Sequence, residues 1–194
     1  MALVVGLGNP GPEYAETRHN VGFQVVERLA RAWKARRAER RAEYRSWRGA
    51  FGGREVTLLE PLTYMNVSGE ALIAWREVHR LEPDELLVVV DDVYLPVGEV
   101  RVRASGSTGG HRGLESIERA LGTREYARLR VGVGSAGEEP LGGHVLAEPA
   151  AAEREALEQA VGRAAEAVQC WLRAGVRETM NRFNRRVRKE VSES

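Results

Sequence analysis

Apolar positions recur along this chain with two different periods. Ala2 to Gly6 is an apolar run closed by glycine, the pattern of a buried strand. From Asn20 to about Arg36, Val21, Val25, Leu29 and Trp33 recur at helical spacing, with Asn20 as N-cap. Arg54 to Glu60 alternates as a strand, and Val67 to His79 reads as a helix with Leu72, Trp75 and Val78 inward. Leu86 to Val90 is wholly aliphatic, as in a central strand covered on both faces. Glu99 to Arg103 and Arg128 to Val133 alternate as strands, with Leu114, Ile117 and Leu121 marking a short helix between them. Leu157, Val161, Ala165, Val168 and Leu172 describe a long amphipathic helix stopped by Gly175. Val176, Met180, Phe183 and Val187 predict a last helix, about 176–190, with arginines on its outer face.

Strands alternating with helices predict the α/β class. The expected architecture is one three-layer α/β/α domain, residues 1–194, around a twisted, mixed, mostly parallel sheet. The mixed character comes from hairpin-like segments around Trp47 and Val56. No internal repeat and no linker divides the chain.

Composition narrows the function classes. No apolar run approaches the length of a membrane span, and no secretory signal is read at the N-terminus. The single cysteine, Cys170, excludes an intramolecular disulfide framework and a cysteine-built zinc site, so a cytoplasmic location is expected. Net charge is only +1, but it is unevenly spread. Arg28 to Arg48 holds nine basic residues against Glu39 and Glu43, and Arg177 to Glu190 holds six against two. Two basic segments on a near-neutral chain suit contact with a polyanion, or else are solvated helix faces.

Gly6-Leu-Gly-Asn-Pro-Gly11 matches the dinucleotide pattern G-x-G-x-x-G after a strand. That motif needs a helix opening inside the glycine turn, whereas Pro10 and Pro12 enforce an extended path and the helix begins only near Asn20. Glu27, where an acidic residue should end a second strand, lies inside the helix instead. The alternative to a nicotinamide site is a rigid loop holding Asn9 and His19 over the end of the first strand.

Four loops carry polar groups at strand ends or helix starts: Asn9 to Asn20, Tyr64-Met-Asn66, Asp91-Asp92, and Ser105 to Gly113 with His111. In open α/β sheets such loops share one edge and form the site. A histidine oriented by a carboxylate suits general-base activation of water, and asparagine amides can donate to an oxyanion. The chemistry indicated is hydrolysis of an activated acyl bond. A metal held by His19, His111 and Asp91 is conceivable, although paired ligand spacings are absent. Ser105 to Gly110 reads as a solvated hairpin, a lid or a phosphate cradle; His79 and His144 read as surface residues.

Four motifs in register resemble bacterial-type peptidyl-tRNA hydrolases. They are Gly6 to Gly11 with Tyr14 and Thr17-Arg-His-Asn20, Pro61-Leu-Thr-Tyr-Met-Asn-Val-Ser-Gly69, Asp91-Asp-Val-Tyr-Leu-Pro96, and Gly109-Gly-His-Arg-Gly-Leu114. The resemblance implies a monomeric, metal-free, cofactor-free hydrolase. It would cleave the ester between a peptidyl group and the terminal ribose of tRNA, recycling tRNA during ribosome rescue. The rival is a non-catalytic RNA-binding relative on the same scaffold.

By the same resemblance, His19 corresponds to the catalytic base and Asp91 to its supporting acid. Asn9 matches the residue that tells a blocked α-amino group from a free one. Asn66 is a substrate-binding position with Met65 as an apolar wall. Tyr14 and Tyr64 line the path of the tRNA acceptor end, and His111 lies near the peptide and the 3′ end. Arg112 departs from the asparagine usual in the family. It trades an amide acceptor for a charged, bidentate fork suited to a phosphate or a nearby carboxylate.

Overall fold

The structure is a computed structural model and describes residues 1–135 and 141–184. Its elements are β1 (Ala2–Gly6), α1 (Val21–Ala32), β2 (Arg36–Arg40), β3 (Tyr44–Phe51), β4 (Arg54–Pro61), α2 (Gly69–Arg76), β5 (Leu86–Asp92), β6 (Val100–Arg103), α3 (Arg112–Leu121), β7 (Ala127–Gly132), α4 (Leu141–Leu146) and α5 (Ala151–Phe183). One seven-stranded sheet runs in the order β2-β3-β4-β1-β5-β7-β6. Neighbours β4, β1, β5 and β7 are parallel; β3 and β6 are antiparallel to their partners, so five strands point one way.

Alternation along the central strands divides the interior into two cores. Ala2, Val4, Leu87 and Val89 face α1 and α5, meeting Val25, Leu29, Val161 and Val168. Leu3, Val5, Val88 and Val90 face α2 and α3, meeting Leu72, Trp75, Leu114 and Ile117. β5 is therefore apolar at every position before its last two residues, because both faces are covered. α1 ends at Ala32 rather than near Arg36, since Lys34 adopts a left-handed φ of 51° that no helix continues through.

The basic stretch after α1 is not helical but forms the outer strand β2, which pairs with β3. α5 loses helical geometry at Gly175 (φ 77°, ψ 175°), as the sequence punctuation predicts, and its last turns reach Phe183. Residues 185–190 of the expected basic helix lie outside the described residues. No helix among the described residues is long and apolar enough to cross a membrane.

Candidate active site

Parallel β4, β1 and β5 end at the same edge of the sheet, so the loops leaving them converge there. The loop after β1 carries Asn9, a one-turn helix with Tyr14, and a second with His19. Beyond β4 a third one-turn helix carries Met65 and Asn66. Asp91 and Asp92 are the last residues of β5, and His111 caps the start of α3. All nine residues singled out by sequence, Asn9, Tyr14, His19, Tyr64, Met65, Asn66, Asp91, His111 and Arg112, line one cleft of about 520 Å³.

The glycine motif is explained by packing. A Cβ on Gly6 would stand 2.2 Å from the Gly22 carbonyl of α1, and one on Gly8 would strike the Phe23 ring at 2.8 Å. These glycines let α1 lie against β1 and fix the path of the intervening loop. Asn20 then grips that loop, accepting the Asn9 N–H at 2.8 Å and donating to the Asn9 carbonyl at 2.9 Å. Asn9 in turn accepts the Met65 N–H through Oδ1 at 2.9 Å. A backbone donor must face oxygen, so the Asn9 amide orientation is determined and its NH2 end is left for a ligand.

His19 Nδ1 lies 2.8 Å from Asp91 Oδ1, and His111 Nε2 lies 2.9 Å from the same oxygen. His111 Nδ1 accepts from the N–H groups of Gly113 and Leu114, at 3.2 and 3.4 Å, which puts its proton on Nε2 facing Asp91. Asp91 orients His19 in the same way, through Nδ1, leaving Nε2 an acceptor with no partner among the described residues. Burial of Asp91 works to raise its pKa, but the facing His111 and His19 and their hydrogen bonds outweigh it and hold the carboxyl well below the usual range. The three side chains also bring potential ligand atoms within 4.8 Å of one another, as a metal site would. The imidazole nitrogens that face Asp91 are, however, occupied as hydrogen-bond donors to it.

A family model described as Peptidyl-tRNA hydrolase matches residues 3–192. The chain belongs to the peptidyl-tRNA hydrolase family. It is 49% identical over 186 residues to a peptidyl-tRNA hydrolase of a Synechococcus strain, covering 95% of this chain and 83% of that one. It is 43% identical over 186 residues to the peptidyl-tRNA hydrolase of Desulforamulus reducens, covering 96% and 90%. A crystal structure of peptidyl-tRNA hydrolase from Acinetobacter baumannii superposes with a TM-score of 0.88 at 35% identity, covering 95% and 94%.

Around the peptidyl-tRNA hydrolase motifs stand contacts that sequence reasoning passed over. Asp92 accepts the Tyr94 N–H through Oδ1 at 2.8 Å and the Arg130 guanidinium through Oδ2 at 3.2 Å. Arg130 and Arg128 of β7 donate to the carbonyls of Gly106, Ser107 and Thr108. The glycine-rich loop is thus pinned by its carbonyls. Val145 and Leu146 of α4 add an apolar wall. Arg18 anchors the segment after α4, donating to Ala147 and Glu148 carbonyls and to Glu153.

Of two histidines expected at the surface, His144 is buried and His79 is half-buried. His144 is buried with Nε2 3.0 Å from the Gly134 carbonyl, because α4 turns it inward. His79 stacks on Trp75 and pairs with Glu39 at 2.7 Å. Arg112 is exposed and has no carboxylate partner among the described residues. A larger groove, about 730 Å³, adjoins the cleft at Asn9 and holds Arg28, Arg31, Arg40, Arg45 and Arg154 interleaved with glutamates. It lacks the histidines and Asp91, which line the smaller cleft.

Proposed function

We propose that this chain hydrolyses the ester between the peptidyl group and the 3′-terminal ribose of peptidyl-tRNA. The observation that carries the reading is the His19–Asp91 pair, which leaves His19 Nε2 open in the cleft that Asn9 and Asn66 also line. His19 draws a proton from water as the water oxygen adds to the ester carbonyl carbon. The tetrahedral intermediate then expels the ribose oxygen, which takes the proton back from His19. Asp91 fixes the tautomer and stabilises the imidazolium. No covalent intermediate is needed and no cofactor enters.

Asn9 offers its NH2 to a carbonyl of the peptidyl group, an acceptor that an unblocked aminoacyl ester lacks next to its α-amino nitrogen. Asn66 binds substrate against the Met65 wall, while Tyr14, Tyr64, His111 and Arg112 receive the tRNA end. Phosphate contacts by the arginine-rich groove and the end of α5 give affinity without sequence choice, as an enzyme serving many tRNAs requires. We further propose a single-domain, monomeric, cytoplasmic enzyme; the match of one family model to residues 3–192 supports the single domain.

The test is turnover of N-acetyl-aminoacyl-tRNA by wild type and His19→Ala. Loss of about 10²–10⁴-fold in rate with tRNA binding retained is expected. Binding without turnover by the wild type would favour the non-catalytic relative.

A further inference from the structure

Six large hydrophobic residues are exposed among the described residues, and three of them, Tyr64, Tyr94 and Leu146, line the same cleft. Tyr94 is the most exposed, at 74%. Its side chain makes no hydrogen bond, ring contact or cation contact among the described residues. A ring so placed contributes nothing to the fold and costs solvent exposure of apolar surface.

Its mounting is nevertheless firm. The Tyr94 N–H is held by Asp92 Oδ1 at 2.8 Å, and Asp92 is itself tied to Arg130. The next residue, Leu95, is 2% exposed, and its carbonyl accepts the Gly134 N–H at 3.1 Å. The chain therefore presents a rigidly based aromatic face to solvent at the mouth of the cleft. Beside the same cleft stands Arg112, with no ion-pair partner among the described residues. The wall formed by Val145 and Leu146 is aliphatic by contrast.

A flat ring with an uncommitted guanidinium suits an unpaired nucleotide, which offers a π-face to one and a phosphate to the other. A peptide of varied sequence offers neither regularly. We propose that Tyr94 is a stacking platform for a base in the single-stranded 3′ end of the tRNA, with Arg112 on the adjoining phosphate. This rests on the reading that the cleft receives peptidyl-tRNA.

The experiment compares wild type, Tyr94→Ala and Tyr94→Phe on N-acetyl-aminoacyl-tRNA. In parallel, 2-aminopurine replaces single bases in the unpaired end of a deacylated acceptor-stem hairpin, so that fluorescence reports stacking. Tyr94→Ala should raise KM about tenfold with kcat nearly unchanged and abolish the quenching seen with wild type. Tyr94→Phe should behave as wild type in both. An unchanged KM for Tyr94→Ala overturns the proposal, as does a Phe variant as impaired as Ala. So does a defect that differs between N-acetyl-glycyl and N-acetyl-phenylalanyl esters of one tRNA while quenching persists, since the ring then serves the peptide. Failure of the wild type to turn over would instead sink the functional reading.

Discussion

Asn20 holds both backbone hydrogen-bonding groups of Asn9, one with its amide oxygen at 2.8 Å and one with its amide nitrogen at 2.9 Å. Both residues are buried, so the side chain of one stands in for a strand partner of the other. Asn20→Ala should therefore cost about 2–4 kcal/mol of stability from two unmet backbone groups. It should also lower kcat more than it weakens tRNA binding, because Asn9 is no longer aimed. Thermal unfolding and steady-state kinetics on the same preparation check both; a stable variant with full turnover would show that the clasp is dispensable.

Asp91→Asn keeps the shape but removes the charge that faces His19. Turnover should fall by roughly 10²–10⁴-fold, as when a triad carboxylate is neutralised. Because Asp91 sits well below the usual carboxylate range, its charge faces His19 throughout the working pH range. Steady-state kinetics on N-acetyl-aminoacyl-tRNA measure the loss, and turnover within about tenfold of wild type would uncouple the two residues.

Chelation separates the hydrogen-bonded reading of His19, Asp91 and His111 from the metal-ligand reading of the same atoms. Full activity is expected after exhaustive dialysis against EDTA, with no gain on adding zinc, manganese or magnesium. Restoration of lost activity by one of these ions would favour the ligand set.

Glu60, which does not line the catalytic cleft, offers a stability test. It is fully buried against Arg45 at 2.5 Å, and its other oxygen has no hydrogen-bond partner among the described residues. Burial pushes its carboxyl up to about 7, with Arg45 only partly opposing. A raised carboxyl pKa favours the folded state fully below the ordinary value and progressively less as pH climbs toward 7. Glu60→Gln should thus gain on the wild type by about 1–3 kcal/mol at pH 8 while matching it near pH 4.5. Urea melts at the two pH values measure the difference, and an equal or reversed gap would mean that the Arg45 pair keeps Glu60 ionised without cost.

Much of this architecture is legible in the residues because each face announces itself. β5 reads as a central strand since Leu86 to Val90 is covered on both sides, and α1 reads from Val21, Val25 and Leu29. β2 is not legible: Arg36 to Arg40 is almost wholly exposed, so no apolar alternation marks it as a strand. α4 is likewise unmarked, and His144 owes its burial to a contact with Gly134 that no local pattern encodes. Motifs in register named the nine cleft residues, but spacing could not show His19 and His111 meeting on one oxygen of Asp91. Tyr94 is one residue of the Asp91 to Pro96 motif; only its exposure in the fold sets it apart.

Asn184, just past α5, accepts the Val102 N–H at 2.7 Å and donates to the Val102 carbonyl at 3.0 Å. It can do so because the helix bends at Gly175 and comes back over β6, the last strand of the sheet. The border at that side is thereby sealed by an amide, while the opposite border, β2, is studded with arginines. Both margins thus oppose the addition of a strand from another molecule, one through a hook and the other through repulsion.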